Sequence, residues 1–447
     1  MKRVLIISYL FPPDGGAGTQ RATKFCKYLP DRGWNCTVVT REPPKSRGKW
    51  EPQDQTLLNE IGATTEVIRV APAESTANSP ATWATALPLV DLPANWLAPA
   101  FEAIKQRLSK GDIDAVLITM SPFDLSYLAL KLKEHGVKVP VIVDLRDPWM
   151  LDGWRLVGHY FKWRSHMKQM SRTFKAADGI IANTPESRTA FLKAVPGLDA
   201  SRIAVIPNGY DTEDFHTTAP LPEAPPADRF LLVHTGSFHS SYIYQKTTGI
   251  VGLLRSIKNY RPEPIVCDAR TPLYLLQAVA KLRQENHPAA AALRIVFVGS
   301  ADDATQRCVR ESGVADVVTQ TGYVSHPISV AWLNRADALF LPLHGLPPGH
   351  RSLIVPGKTY EYLASGKPIL ACLPEGDARD LVKAANAGPA ADPTSVEQIS
   401  AGLVSLFDAW RAGKLKGGSA SDPVVARYDR RALTGDLATF MAGLTAR

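Results

Sequence analysis

Three glycines in a polar loop are the first residues whose type and spacing suggest chemistry. Gly15, Gly16 and Gly18 follow the apolar run VLIISYLF, and a helical spacing of apolar residues starts near Arg21. The dinucleotide fingerprint G-x-G-x-x-G needs a third glycine where this chain has Arg21, so that fingerprint is absent from the sequence. A glycine turn before a helix still presents unpaired backbone N–H groups and the positive end of the helix dipole. The segment PPDGGAGTQR therefore predicts an anion-binding turn.

A second candidate site lies in VPGKTYEYLASGKPILA, which starts at Val355. The pattern predicts a Pro-Gly turn, a helix that stops at Gly366, and then a strand. Glu361 lies about one turn into that helix, where a pyrophosphate at the helix start would be stabilised. A carboxylate there can accept hydrogen bonds from two adjacent ribose hydroxyls. The alternative is that Glu361 only stabilises its own helix.

Polar residues also follow two apolar runs in the first half of the chain. DLRDPW begins at Asp144 after one run, and TMSP places Ser121 after another. Side chains at the carboxyl ends of parallel strands face the ligand crevice of such sheets. We therefore take Asp144, Arg146, Asp147 and Ser121 as candidate acceptor-binding residues. The alternative for the charged residues is an internal Asp–Arg salt bridge that shapes the loop.

Histidines and cysteines form no metal-binding pattern in this sequence, and no D-x-D metal motif lies in a suitable loop. The cysteines are odd in number, scattered, and without a C-x-x-C pair: Cys26, Cys36, Cys267, Cys308 and Cys372. This usage argues against a disulfide framework or a zinc site and favours a reducing compartment. We interpret His234, His326 and His350 as loop or packing residues.

The composition is that of an ordinary globular protein with a mild positive charge. The chain has 447 residues, of which 45% are hydrophobic and 21% are charged, and its formal net charge is +8. This excess fits an anionic ligand or an anionic membrane surface, although a solvated surface explains it as well, and it is too diffuse to indicate nucleic acid. Because the first residues lack a secretory signal and no window reaches the roughly 18 apolar residues of a spanning helix, we expect a cytoplasmic protein. A peripheral position on the inner face of the cell membrane is a further option.

Strand-like runs alternate with helical patterns twice along the chain, which predicts an α/β protein with two parallel sheets. HTTAPLPEAPPADR is rich in Pro and Ala and indicates a linker at residues 216–229. We expect doubly wound, Rossmann-like domains over residues 1–215 and 230–427, with ligands in a central cleft. The irregular segments 41–79 and 240–267 suggest an active-site loop or a partner surface, and a tolerated insertion explains them equally well.

The order of the motifs carries a family resemblance through nearly the full length of the chain. Each segment is weak alone, but their order and spacing are specific. The chain resembles the GT-B glycosyltransferases and, within them, family 4, the retaining enzymes that use nucleotide sugars. The matching segments are FPPDGGAGTQRA, DIDAVLITMSP, VIVDLRDPW, KAADGIIANTPESR, AVIPNGYDTEDF, LLVHTGSF, RTPLYLLQAVAKL, IVFVGS, TGYVSH, ADALFLPL and PGKTYEYLASGKPIL.

The resemblance implies roles for residues that match the family's motifs. Gly16 and Gly18 match a glycine loop that faces the donor phosphates and the acceptor. Glu361 matches the second glutamate of an E-x7-E motif and is expected to bind the donor ribose, with Lys358 near the diphosphate. Arg270 matches a basic residue that neutralises the leaving diphosphate, so Arg270 and Lys358 are the expected catalytic residues.

Other donor-side assignments depend on the same resemblance. Ser237, in LLVHTGSF, and the backbone N–H groups of Ile354 and Val355 are expected to face the donor. Lys246 competes with Arg270 for the basic role, because the 240–267 insertion makes this alignment ambiguous. A surface arginine is the alternative for Arg270.

One position departs from the family pattern, because Leu353 stands where the first glutamate of E-x7-E should be. In the family, that carboxylate approaches the transferred sugar. Leu353 therefore indicates either a subset with a different donor sugar or an inactive relative.

The resemblance implies that a sugar passes from an NDP-sugar to a hydroxyl of a glycan, lipid-linked or small-molecule acceptor. Such transfers serve cell-surface polysaccharide or glycoconjugate synthesis. In the family's proposed front-face mechanism the leaving phosphate accepts the acceptor's proton, so no protein nucleophile, cofactor or metal is expected. A sugar-nucleotide epimerase and an inactive nucleotide-sugar-binding relative are the alternatives, and the missing fingerprint disfavours a dinucleotide oxidoreductase.

Two helical stretches complete the predictions. WRLVGHYFKWRSHMKQMSRTFK, residues 154–175, mixes aromatic and basic side chains and suits an anionic membrane interface. The alternative is a helix packed on its own sheet with a solvated basic face. Residues 428–447 keep apolar side chains at helical spacing, and the resemblance implies that they return to the first domain.

Overall fold

The computed structural model divides the chain into two compact units. The first comprises Met1–Trp149, Arg164–Asn208 and Arg430–Arg447, and the second comprises Met150–Trp163 and Gly209–Asp429. Residues 150–163 and 209–215, which we expected in the first domain, group with the second unit. The structure describes residues 1–44, 53–73, 92, 94–120, 122–155, 158–216, 219–221, 228–238 and 260–446.

Within these described ranges the first unit contains a seven-stranded sheet whose strand pairs are all parallel. Val and Ile fill the central strands, which are buried on both faces as parallel strands between helices must be. The strand order is β3-β2-β1-β4-β5-β6-β7. Their bounds are β1 (Lys2–Ser8), β2 (Trp34–Arg41), β3 (Glu66–Val70), β4 (Ala115–Met120), β5 (Val141–Leu145), β6 (Gly179–Ala182) and β7 (Ile203–Val205).

Helices cover this sheet and connect its strands. α4 belongs to both units, since its first four residues group with the second. The bounds are α1 (Ala17–Tyr28), α2 (Ala94–Leu108), α3 (Ser126–Glu134), α4 (Tyr160–Ala176), α5 (Pro185–Ala194) and, at the end of the chain, α14 (Arg430–Thr445).

The last helix, α14, completes the core of the first unit. Its side chains Leu433, Leu437 and Met441 are buried in one cluster with Phe25 and Cys26 of α1. Full burial of such a side chain stabilises a fold by roughly 1.5–3 kcal/mol. The helix is therefore part of the fold of the first unit and not an appended tail.

The second unit contains a six-stranded parallel sheet over the part of the chain that the structure describes. Its order is β10-β9-β8-β11-β12-β13. The strands are β8 (Phe230–Thr235), β9 (Leu293–Val298), β10 (Val318–Gly322), β11 (Ala338–Pro342), β12 (Ile369–Cys372) and β13 (Ala390–Ala391). The helices are α6 (Leu273–Gln284), α7 (Pro288–Ala292), α8 (Asp303–Glu311), α9 (His326–Arg335), α10 (Gly357–Ala364), α11 (Asp377–Ala384), α12 (Val396–Arg411) and α13 (Pro423–Ala426).

Both sheets reverse their strand order once. The reversal lies between β1 and β4 in the first unit and between β8 and β11 in the second. Ligands of doubly wound sheets bind at the carboxyl ends of the strands beside this point. The loops after these four strands are therefore where each unit should hold its functional residues.

Candidate functional site

A glycine turn follows β8 at the carboxyl edge of the sheet in the second unit. Gly236 is exposed and has φ of +91°, a conformation that favours glycine, and its N–H donates to the Val298 carbonyl at 2.7 Å. A Cβ atom at this position would lie 3.1 Å from the Lys358 Nζ atom. The glycine therefore makes room for the Lys358 amine at the end of β8.

Lys358 lies in the first turn of α10, a helix that no side chain caps and that has no acidic residue in its first turn. Its Nζ atom lies 3.0 Å from the Nε2 atom of His234. Burial is the main cause that lowers the pKa of Lys358 to about 7; Arg270 lowers it further, and Glu361 opposes the shift. The amine, Arg270 and Glu361 thus lie close enough to influence one another.

Arg270 ends a short 3₁₀ helix (Cys267–Arg270), and its guanidinium lies 4.3 Å from the ring centre of Trp154. The same indole stacks on the His344 imidazole at 5.6 Å and 19°. Burial first, and then Arg270 and Arg261, lower the pKa of His344 to about 3, so this ring is neutral. The guanidinium is consequently oriented by a stack of neutral rings.

Trp154 reaches this position because residues 150–163 pack on the second unit. Arg261 donates a hydrogen bond to the Gly153 carbonyl. A side chain at Gly153 would collide with the Glu263 backbone, so the two segments are in close contact. The sequence pattern placed Trp154 in a helical stretch that either faces a membrane or packs on its own sheet. It did not predict the contact between Trp154 and Arg270.

Glu361 is half-buried on α10, one turn after Lys358. The predicted helix and its stop are confirmed, since α10 ends at Ala364 just before Gly366. Leu353, which replaces the expected glutamate, is also half-buried. The structure therefore brings the predicted ribose and diphosphate residues to one helix start.

The other residues expected to face the donor differ in their contacts and burial. The Ile354 N–H donates to the Ser352 hydroxyl at 3.2 Å, so this group is already used inside the loop. The Val355 side chain is buried in the apolar core. Ser237, beside Gly236, is half-buried at the strand end.

In the first unit, the glycine loop leads directly into α1, which begins at Ala17 and not near Arg21 as the spacing predicted. Gly16 precedes the helix with φ of +85°, and no side chain caps this end. A Cβ atom at Gly18 would lie 3.1 Å from Arg146 Nη1. The structure therefore brings two predicted residues, Gly18 and Arg146, to the start of α1.

Two arginines from neighbouring strands donate hydrogen bonds to the glycine loop. Arg41 donates to both carboxylate oxygens of the buried Asp14, at 3.1 and 3.2 Å. Arg69 donates to the Pro12 carbonyl at 2.5 Å. The loop is consequently fixed to β2 and β3.

Asp144 does not present its carboxylate to an acceptor. It is fully buried and receives two-pronged hydrogen bonds from Arg21, at 2.9 Å from Nε and 2.7 Å from Nη2. The geometry favours the alternative of an internal salt bridge, with Arg21 as the partner in place of Arg146. Asp147 is half-buried at the same strand end, and Ser121 lies outside the described residues, as does Lys246.

His234, which the sequence pattern assigned to a loop or packing role, and His344, which it did not single out, are two further functional candidates. Both lie at the carboxyl ends of the two strands beside the reversal of the second sheet, β8 and β11. The rule that singled out Asp144 would therefore have found them. Among the described residues, no group of three or more His, Cys, Asp or Glu side chains is arranged to hold a metal ion.

Comparisons with known proteins agree with this architecture. The model of Glycosyltransferase Family 4 matches residues 15–214, and the model of Glycosyl transferases group 1 matches residues 268–409. Together these matches cover more than half of the chain. A search of curated protein sequences finds no significant match.

Solved structures share the fold at low identity. A sucrose-phosphate synthase from Thermosynechococcus elongatus is 14% identical, with 100% of both chains covered and a TM-score of 0.63. A trehalose-6-phosphate synthase from E. coli bound with UDP-2-fluoro glucose is 12% identical, with 100% of this chain and 97% of the other covered and a TM-score of 0.54. A Listeria monocytogenes protein assigned as a UDP-N-acetylglucosamine 2-epimerase is 12% identical, with 98% and 94% covered and a TM-score of 0.52.

Two Rossmann-like units with these parallel sheets define the GT-B class. The family models narrow this class, and the chain belongs to the family 4 glycosyltransferases, which confirms the resemblance. It is a transferase that uses a nucleotide-sugar donor.

Proposed function

We propose that the protein is a retaining glycosyltransferase whose donor diphosphate binds at the start of α10. One observation carries the proposal: Lys358, Arg270 and an uncapped helix start lie close together beside the glycine turn after β8. All three favour a diphosphate. Glu361, one turn further on, is then placed for the ribose hydroxyls.

In the proposed reaction the bond between the anomeric carbon and the diphosphate oxygen breaks, and its electron pair stays on that oxygen. The acceptor hydroxyl oxygen forms the new bond on the same face, and its proton passes to the leaving phosphate. Arg270 and Lys358 stabilise the developing charge, an effect for which a single well-placed donor is worth about 10²–10³ in rate. Since the protein's own cations supply this potential, we propose that no metal is required and that activity survives EDTA.

We propose that the acceptor meets the first unit near Gly18 and Arg146. The guanidinium lies at the uncapped start of α1, and the arginines behind the loop keep this surface fixed. Asp147 is the remaining carboxylate candidate at this sheet edge. An acceptor that carries phosphate would suit such a surface best.

The exposed face of α4 supports a lipid-linked acceptor at an anionic membrane. Arg164, Lys168, Arg172 and Lys175 are exposed at helical spacing, the helix contains no acidic residue, and Phe161 near its start is 78% exposed. Each basic residue near an anionic surface contributes about 1 kcal/mol. We therefore propose a cytoplasmic protein that acts at the inner face of the membrane in cell-surface polysaccharide or glycoconjugate synthesis. No helix among the described residues is long and apolar enough to span a bilayer.

Vesicle co-sedimentation tests the membrane proposal. We expect binding to anionic vesicles at low salt and release at high salt. Changing the four basic residues of α4 to glutamine should abolish binding, whereas Lys105→Gln at the end of α2 combined with Lys110→Gln just after it should not. Equal loss in both variants, or no binding at low salt, contradicts the proposal.

A screen of UDP, GDP, dTDP and ADP by thermal shift should identify the base of the donor. Incubation of the matching sugar nucleotide with and without acceptors then separates the alternatives by product. A glycosylated acceptor with retained anomeric configuration supports the proposal. An epimerised sugar nucleotide without acceptor indicates an epimerase, and nucleotide binding without turnover indicates an inactive relative.

A further inference from the structure

The His234 ring is held tightly at the end of β8. It is 1% exposed, stacks on Phe238 at 4.1 Å and 13°, meets Phe297 edge-on, and lies 5.9 Å from the tilted Phe340 ring. Its Nδ1 atom lies 2.9 Å from the Phe340 carbonyl oxygen. Because a carbonyl only accepts, Nδ1 carries the hydrogen, and Nε2 is left as an acceptor.

That acceptor faces the Lys358 amine at 3.0 Å. The glycine turn at Gly236 borders the amine on another side, where a Cβ atom would lie 3.1 Å from Nζ, closer than an ordinary contact. The position of Nζ is therefore set by a neutral ring and a backbone turn. Neither group neutralises a positive charge, so this contact does not favour the ammonium form as a carboxylate would.

The charged groups near this amine come from two elements. Arg270, at the end of its 3₁₀ helix, opposes a second positive charge, and Glu361 on α10 favours one. Burial opposes the charge most strongly, and the sum lowers the pKa of Lys358 to about 7. A diphosphate at the helix start would add negative charge beside the amine and reverse this balance.

We propose that His234 is a positioning residue for Lys358 and that the pair takes up a proton when a nucleotide sugar binds. The inference rests on the proposed donor site. Before binding, a neutral amine donates one hydrogen to His234 Nε2. The diphosphate stabilises the ammonium form, so a proton enters from solvent, and the ammonium then donates to both Nε2 and a phosphate oxygen. No covalent bond forms or breaks in this step.

A labelling experiment on the ligand-free protein tests the pair of His234 and Lys358. Lysines are labelled competitively with acetic anhydride over a range of pH, and the peptide that contains Lys358 is quantified by mass spectrometry. We expect half-maximal labelling near pH 7, against about 10.4 for an unperturbed lysine. A midpoint near 10 for Lys358 overturns the proposal.

Two variants separate positioning from packing. His234→Phe keeps a flat ring on Phe238 but removes the acceptor, whereas His234→Gln offers an amide oxygen near the place of Nε2. His234→Phe removes an acceptor that the ammonium form uses, so we expect the labelling midpoint of Lys358 to fall by at least about half a pH unit and to be restored in His234→Gln. A purely structural histidine would lower the melting temperature of both variants and leave the midpoint unchanged, which overturns the proposal.

Calorimetry measures the proton uptake itself. The probe is the tightest binder among UDP-glucose, GDP-mannose, dTDP-glucose and ADP-glucose, titrated at about pH 8 in Tris and in HEPES. We expect uptake of roughly 0.5–1 proton in the wild type and almost none in Lys358→Arg, whose guanidinium stays charged. Binding without uptake overturns this proposal and leaves the donor site intact. If none of the four probes binds, the donor site itself fails, and the labelling experiment still decides the pair.

Discussion

The two sheets hold cations at their carboxyl edges in opposite ways. In the first unit, Arg21 donates to the buried Asp144 and Arg41 to the buried Asp14. In the second, Lys358 contacts the neutral imidazole of His234, and the Arg270 guanidinium lies on the Trp154 ring. The first edge therefore pairs charge with charge, and the second pairs charge with neutral rings.

This difference indicates what each edge is for. A buried ion pair fixes loop geometry but leaves little net potential for a ligand. Arg270, beside neutral rings, keeps the local potential positive; after burial, it is the next cause that lowers the pKa of both Lys358 and His344. We infer that the first edge is a rigid support and that the second is prepared for an anion.

Breaking the Asp144–Arg21 pair should have the largest effect. Asp144→Asn leaves Arg21 buried without its counter-charge, and we expect a loss of about 3–5 kcal/mol in the free energy of unfolding. Asp147→Asn, at the half-buried neighbour, should cost less than about 1 kcal/mol. Urea unfolding measures both. Equal losses would mean that the first edge is not a structural pair.

Arg270→Ala should reduce turnover by about 10²–10³, or roughly 3–4 kcal/mol of transition-state stabilisation, and should change the melting temperature little. The matched control is Arg283→Ala, which removes an arginine of α6 that pairs with Asp316. Steady-state kinetics with the identified donor measures both variants. An Arg270→Ala enzyme with near-normal turnover would place this arginine outside the reaction.

Glu361 tests the comparison directly, because it is an acidic group near two basic side chains, Arg270 and Lys358. Glu361→Gln and Glu361→Ala should weaken nucleotide binding about ten- to a hundred-fold, as a hydrogen bond to a charged group is worth roughly 1.5–3 kcal/mol. Leu353→Ala should leave the affinity nearly unchanged. Calorimetric titration of the preferred nucleotide compares the three. Wild-type affinity in Glu361→Ala would show that this glutamate only stabilises its helix.

Lys358→Met should give the smallest effect, and it should be a gain in stability. The pKa of Lys358 is lowered from 10.5 to about 7 in the folded chain, so the unfolded chain binds more protons between these values. The contribution of Lys358 to the free energy of unfolding of the wild type therefore rises with pH through that window. Its destabilising effect is complete below pH 7. After a discount for solvent screening, we expect Lys358→Met to be more stable by about 1–2 kcal/mol near pH 7, with the difference fading towards pH 10. Melting curves across this range test the sign, and a less stable variant at pH 7 contradicts it.

The sequence predicted the two parallel sheets well, because apolar runs and helical spacing are local signals. β3 was missed, since Glu66 and Arg69 interrupt its apolar residues on an edge strand that is only partly buried. The start of α1 was placed too late because Gly16 and Gly18 are poor helix formers. Local pattern thus located elements more reliably than their ends.

The candidate site was predictable only where it is local. Lys358 and Glu361 lie within one turn of a recognisable helix. The partner of Asp144 is Arg21, 123 residues earlier, and the sequence does not encode that contact in any short pattern. Trp154 likewise reaches Arg270 only because its segment groups with the second unit.

The position of α14 has a consequence for how the protein is made. The first unit includes Met1–Trp149, yet Leu433, Leu437 and Met441 of its core are translated only after the whole second unit. During synthesis, the apolar face of α1 around Phe25 and Cys26 lacks this cover until α14 has been translated. Domains usually fold as units in order of emergence, but here the earlier one must wait for the later one. A chain that stops before α14 would expose an apolar surface that chaperones and proteases can recognise, so the fold of the first unit depends on synthesis of a helix that follows the second unit.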